Sequence, residues 1–396
     1  MRKFVCGLAT LALCITLISS PVRSLAQVGS ADPGFSYVDV NNDGLYSPLT
    51  DIGPVDQYMM DGYFNTQQSE GLYHAPSCPA SLVIPASRTF TSLVALTLKA
   101  GVDIKVYGTL IAPSLDLQAC RNIDTTHGNI QFVSAASFTA GCDAILDGTT
   151  VTNFDPAGTF HVTACRNIYG RTTSDGSVTG VIAGAELVFS AGGCITLDGA
   201  ALLTLGVNST ISLEACGTVA ATGNSSIVGI TGGVDINSNS GDVSIPTAFI
   251  TGDSLAVNAC GRVDFSNAFI TASVGSASFT SRGNITGTSA SITSNGLDVT
   301  STAGGVSLDS TQVLSAGIID VTGKYDILVN NVTWSAVTEI DVTSNYGDIY
   351  ARNSRFSVVT PLGPIVFYAG GKQIYNGGST FIGTATYGPT TVQVLP

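Results

Sequence analysis

Charge is what this sequence has least of. Of its 396 residues only 11% are Asp, Glu, Lys or Arg, against roughly 25% in an ordinary globular chain. A chain so poor in charge and so rich in Gly, Ser, Thr, Val and Ala argues against helical domains and suits turn-rich β-structure. It is too apolar for disorder, since its mean hydropathy is positive and leaves ample surface to bury. The little charge present is unbalanced: 15 basic residues stand against 28 acidic ones, a net charge of −13, which repels nucleic acid and anionic lipid. Histidine occurs three times, as the scattered His74, His127 and His161. With no Cys-x-x-Cys pair beside them, there is no ligand set for zinc. Gly-x-Ser-x-Gly, His-Glu-x-x-His and phosphate-loop motifs are also missing, and with them the enzyme classes they define.

The first residues carry Arg2 and Lys3, then an apolar stretch from Phe4 to Ile18, then the small-residue pattern Ser24-Leu25-Ala26. That is the layout of a cleavable secretory signal over residues 1–26. The stretch is broken by polar and small residues and is shorter than a spanning helix needs, so no membrane insertion is expected after cleavage. Loss of Arg2, Lys3 and Arg23 would take the net charge from −13 to −16. A secreted or cell-surface location follows from this reading.

A repeat sets the fold. An anchor residue, usually Gly, any residue, then Ile or Val recurs as Cys216-Gly217-Thr218-Val219, Ser240-Gly241-Asp242-Val243 and Cys260-Gly261-Arg262-Val263, and on to Tyr346-Gly347-Asp348-Ile349. Successive anchors from Cys216 to Tyr346 lie 24, 20, 22, 21, 21 and 22 residues apart. Upstream, Cys120, Cys142 and Cys165 hold the same phase. Cys194 follows after a longer gap, read as one coil with an insertion around Arg171 to Gly180. Alternating strands such as Ile211-Ser212-Leu213-Glu214 precede most anchors, pointing one side inward and the other to water. Units of about 22 residues are too short for ankyrin, tetratricopeptide or propeller repeats, and the leucine-rich frame is absent. The pattern predicts an all-β, right-handed parallel β-helix over residues 81–396. At ~4.8 Å per coil, roughly fourteen coils make a rod on the order of 65 Å long. The glycines after the anchors are expected to supply positive φ where strands turn a corner.

Residues 27–80, richer in Asp, Pro, Tyr and Met, read as a separate N-terminal region that caps or leads into the rod. Within it, Asp39-Val40-Asn41-Asn42-Asp43-Gly44-Leu45-Tyr46-Ser47 places oxygen ligands at alternate positions and Gly at the sixth, as a calcium loop of EF-hand type requires. Asp39, Asn41 and Asp43 would bind calcium through side chains and Leu45 through its carbonyl. The twelfth position is Thr50 and the acid falls one residue late, at Asp51, so Asp51, Asp56 or a water would complete the shell. The loop resembles the single Asp-x-Asn-x-Asp-Gly calcium loops of extracellular bacterial proteins, dockerin repeats included. It occurs once, with no preceding helix. The other reading is a polar turn rich in Asp, Asn and Gly.

Cys120, Cys142, Cys165, Cys194 and Cys216, at one phase of consecutive coils, would stack about one strand apart. They read either as a ladder of small sulfur side chains or as one or two disulfides between neighbours. Asp298, Asp320 and Asp341 would form an outward acidic column, unfavourable unless a cation or water intervenes. Arg121 and Arg166, near the cysteines, would contact a sugar acid if the rod were a polysaccharide lyase or glycoside hydrolase. Its acids, however, are single and spread, without the paired constellation such enzymes need.

Over about four fifths of the chain the repeat resembles the β-helices of filamentous-haemagglutinin-like and adhesin-like bacterial surface proteins. The resemblance implies a structural or adhesive rod that presents Ser, Thr and Asn ladders to a polysaccharide, another surface protein or a further copy of itself. The carbohydrate-active enzyme is the alternative.

Overall fold

The computed structural model describes residues 33, 35–48, 50–51, 53, 81–360, 363–371, 373–387 and 391–395. The signal segment and most of the 27–80 region lie outside them. Period-two alternation becomes a strand wherever an apolar residue follows a polar one. The first coil comprises β2 (Ser81–Ile84), buried along its whole length, and the alternating strands β3 (Thr89–Thr91) and β4 (Leu96–Ala100). Each later coil repeats it, and every third strand in sequence returns to the same sheet, one level up. The result is a parallel β-helix with three walls, its crossovers of the kind that right-twisted strands make right-handed. Among the described residues the first wall has sixteen strands and the other two have fourteen each, and none of these residues is helical. The first wall is extended below by β1 (Tyr37–Asp39), which pairs with β2 antiparallel.

The core is a set of vertical ladders. On the third wall most strands run six residues with their second, fourth and sixth side chains inward, as in Phe160, Val162 and Ala164 above Ala136, Phe138 and Ala140. Large residues occupy the middle of the wall, where rings stack edge to face (Phe138–Phe160, 5.0 Å). Among the described residues the sixth position of the six-residue strands is small, because the chain turns there. Ala119, Ala140, Ala164, Ala191 and Ala215 are followed above by Ser238, Ala259, Ser281, Ser301, Gly323, Ser344 and Ala369. The serine hydroxyls are used on the turn: Ser301 Oγ donates to the Gly283 carbonyl (2.6 Å) and accepts from the Gly304 amide (3.0 Å).

The corner between first and second walls is where most of the positive φ values occur. His127, Gly148, Gly199, Asn224, Thr247, Asn267, Ser289, Ser310, Asn331 and Asn353 all adopt the left-handed conformation, with φ between 46° and 68°. A small, fully buried residue generally follows, as with Thr149, Ala200, Ser225, Ala248, Ala268 and Ala290. The glycines after the anchors are not among them, which corrects the expectation that they supply positive φ. They permit close stacking of coil on coil instead. A Cβ on Gly241 would lie 2.7 Å from the Gly217 carbonyl carbon, and one on Gly283 would lie 2.7 Å from the Gly261 carbonyl oxygen.

The insertion read around Arg171 to Gly180 is present. Residues 172–179 bulge from the corner between Ile168–Arg171 and Gly180–Ala183 without disturbing the register of either strand.

Candidate functional site

The N-terminal loop begins where β1 ends. Asp39 is fully buried. Its Oδ2 accepts the Gly44 amide (2.9 Å) and lies 3.9 Å from Lys105 Nζ of the second coil. Its Oδ1 is buried with no hydrogen-bond partner. Burial pushes the Asp39 carboxyl above its usual range, and Asp51 adds to that, while the Gly44 amide and Lys105 offset part of it. Positive φ at Asn42 (59°) and Gly44 (81°) bends the chain so that alternate side chains converge. Asn41 Nδ2 donates to Asp43 Oδ2 (3.0 Å), and Asp43 Oδ1 accepts the Leu45 amide (2.8 Å). Asp51 braces the loop from the far side, accepting the Val40 amide on one oxygen (3.0 Å) and the Ser47 amide on the other (2.6 Å). Asp56 lies outside the described residues.

This donor set fits a hard cation. Such an ion takes carboxylate, amide and backbone carbonyl oxygens, and the orphaned Asp39 oxygen is a buried acceptor in need of a positive partner. Among the described residues no group of three or more His, Cys, Asp or Glu is placed to hold a metal, so a site here depends on Asn41 and the Leu45 carbonyl. Asp51, engaged by two amides, retains one lone pair per oxygen for a cation. The loop is also tied to the rod, since Ser81 Oγ of β2 donates to Asn42 Oδ1 (2.5 Å).

Arg121 and Arg166 do not present free guanidinium groups. Each reaches to the coil below and grips a carboxylate with two nitrogens, Arg121 on Asp103 (2.9 and 2.5 Å) and Arg166 on Asp143. Arg171 does the same to Asp147 (3.0 and 2.6 Å). The Arg121 and Arg166 pairs belong to a staircase at the corner between third and first walls, whereas Arg171 and Asp147 meet at the corner between first and second walls. Asp103 Oδ1 accepts the Asn122 amide (3.0 Å), Asn122 Oδ1 the Asp143 amide (3.2 Å), Asp143 Oδ1 the Asn167 amide (3.1 Å) and Asn167 Oδ1 the Cys194 amide (3.0 Å). The staircase went unrecognised in the sequence, although its signal is there: the residue just before each first-wall Ile or Val is often Asp or Asn. At Asp143 burial pushes the carboxyl up, but the Arg166 hydrogen bond and charge and the Asn167 hydrogen bonds outweigh it and hold the group below its usual range.

The acidic column has the register read from the sequence. Asp298, Asp320 and Asp341 are level partners on the outer face of the third wall. Beside them Thr280, Thr300, Thr322 and Thr343 form a second column. Each of the last three threonines donates its hydroxyl to the aspartate two residues before it (2.7, 3.1 and 2.9 Å). The same coils carry a cavity of about 460 Å³ at the neighbouring corner, lined by Val274, Ser294, Asn295, Leu314, Ala316 and Val337 among others. Ser294 Oγ is buried there without a partner.

The cysteines do not form a single column. Register on the third wall places Gly141 and Gly192 at the level positions between Cys120, Cys165 and Cys216, with Asn239 between Cys216 and Cys260. Cys142 and Cys194 are displaced along the turn by the glycines that precede them. A Cβ on Gly141 or Gly192 would run into the carbonyl of the cysteine below, so with the backbone as it stands these two levels take glycine. Cys120, Cys165, Cys194 and Cys260 are free thiols. Comparison with family models, with curated proteins and with solved structures finds no match, so the class to which this chain is assigned is the one its own architecture defines, the parallel β-helices.

Proposed function

We propose that this chain is a secreted structural and adhesive rod, stabilised by calcium at its N-terminal loop, that holds a neutral, hydroxyl-rich polysaccharide. The observation that carries the adhesive reading is the face shared by Asp298, Asp320 and Asp341, their threonine column and the adjoining apolar cavity. Because the threonine protons are spent on the aspartates, the face offers acceptors, and its partner must bring donors. Sugar hydroxyls do so, and the Val274, Leu314 and Val337 side chains suit the C–H faces of sugar rings. A sugar acid would meet like charge. The enzyme alternative loses the two arginines it would have used, since both are tied to aspartates one coil down.

Retention on insoluble neutral polysaccharides such as cellulose, chitin or xylan tests this reading. Leu314→Asp with Val337→Asp, and separately Asp298→Ala with Asp341→Ala, should each weaken retention about tenfold or more. Binding that both pairs leave intact, or no binding to any neutral glycan, would refute it. Calcium titration by calorimetry should show one ion, lost in Asp43→Ala and in Asp39→Asn.

A further inference from the structure

The corner between third and first walls carries a regular array that the adhesive reading does not use. Cys120, Cys165, Cys216 and Cys260 stand at alternate levels of one column, as their amides' bonds to Ala100, Ala140, Ala191 and Ser238 of the coils below also show. At two strand spacings each, they are ~9.6 Å apart, too far to pair with one another within one chain. Cys120, Cys165 and Cys260 are exposed, and Cys216 is half-buried.

An evenly spaced set of four is self-complementary. A two-fold axis through the Gly192 level, perpendicular to the rod, sets Cys120 opposite Cys260 of a second copy and Cys165 opposite Cys216 of that copy. The same operation sets Gly192 and Gly193 against their own equivalents, so the axis level is bare backbone at these two columns and carries a side chain only further along the turn, at Cys194, and it sets Gly141 against Asn239. In the adjoining column it faces Arg121 with Gly261 and Arg166 with Gly217, a long side chain against a bare backbone each time. We propose that this corner is the pairing edge of an antiparallel, disulfide-linked dimer of rods. A strip six strand spacings tall and ~10 Å wide buries far less than the ~1,000 Å² a stable non-covalent interface needs. The bonds themselves therefore hold the pair.

The oxidant is a small-molecule disulfide, in the oxidising setting expected of a secreted chain. A cysteine thiolate of one copy attacks it, forming a mixed disulfide and releasing one small thiol. The facing cysteine thiolate of the second copy then displaces the other. Two protein thiols are oxidised, one small disulfide is reduced to two thiols, and the two protons leave on them.

The test uses the full chain with Cys6, Cys14, Cys78, Cys142 and Cys194 replaced by serine, reduced, then incubated with glutathione disulfide as equal amounts of ¹⁵N-labelled and unlabelled protein. The expected product is a dimer that dithiothreitol reverses, with Cys120–Cys260 and Cys165–Cys216 cross-linked peptides carrying one labelled and one unlabelled half. Cys120→Ser should leave Cys165–Cys216 alone, and Cys120→Ser with Cys165→Ser should abolish the dimer, the urea midpoint staying unchanged in both. Monomer bearing glutathione adducts, Cys120–Cys120 links or unmixed intrachain links would overturn the proposal.

Discussion

Thr247 shows how strongly the corner between first and second walls constrains a single residue. Its φ of 59° is a conformation that a β-branched side chain rarely tolerates, while the equivalent positions above and below hold asparagine, Asn267 and Asn224. Its hydroxyl compensates only in part, bonding the carbonyl of its own neighbour Pro246 (2.6 Å) and receiving the Asn224 amide (3.3 Å). Replacing it by a residue that accepts the left-handed region should recover strain of order 1 kcal/mol. Thr247→Asn is therefore expected to raise the unfolding free energy by about that amount, read from the urea midpoint at unchanged slope. No change, or a fall, would mean that the hydroxyl contacts outweigh the backbone strain.

Strands were the most legible elements in the sequence, and corners the least. Alternation such as Ile319-Asp320-Val321 fixes which side chains face inward, so the outer column of Asp298, Asp320 and Asp341 and the 172–179 bulge were both readable. Corner chemistry is not periodic in the same way. Gly141 before Cys142, and Gly192 with Gly193 before Cys194, shift these cysteines along the turn, and spacing between cysteines alone conceals that. Gly217 and Gly241 signal a special corner but not whether the cause is dihedral or steric, and only the neighbouring coil decides. In the N-terminal loop the spacing brings Asp39, Asn41 and Asp43 together as a candidate set, whereas Lys105 and Ser81 reach it from coils that sequence distance does not connect to it. The acidic column also has an energetic consequence at the scale of the wall. Burial raises the Asp320 carboxyl, Thr322 offsets some of this, and Asp341, Asp298 and Glu339 raise it further. A carboxyl raised in the folded state is ionised at a cost to folding that is absent below the ordinary value of 3.8 and grows as pH rises through the folded value. Asp320→Asn should thus stabilise the rod at pH 7, by less than about 1 kcal/mol given partial exposure and screening, and should have no effect near pH 3. Urea midpoints of the two proteins at both pH values check this, and a benefit that persists at pH 3 would assign it to something other than charge.

A solenoid has no contacts beyond neighbouring coils, so its stability is a sum along one dimension and its weak points are its ends. The upper end of the first wall finishes with Thr391–Leu395, parallel on Gln373–Gly377. The lower end is closed differently. Antiparallel β1 covers the edge of β2, with Tyr37 opposite Val83 and Asp39 opposite Ser81. A second rod arriving from below would need that edge in order to continue the parallel stack, so an antiparallel strand there opposes end-to-end growth. The N-terminal loop starts at the last residue of this strand, which couples the orphaned Asp39 oxygen to the closing of the rod: under the calcium binding proposed above, a cation that neutralises it would hold β1 in place. A chain beginning at Ser81 should keep the coils and lose the closure. Under reducing conditions, where cysteine pairing is silent, it is expected to show light scattering that rises with concentration and filaments along the rod axis by electron microscopy. The full chain with calcium should stay monodisperse, and the full chain in chelator should fall between the two. If the chain from Ser81 remains monodisperse at high concentration, β1 is dispensable for closure, and the stagger or twist of the terminal coils must protect the edge by itself.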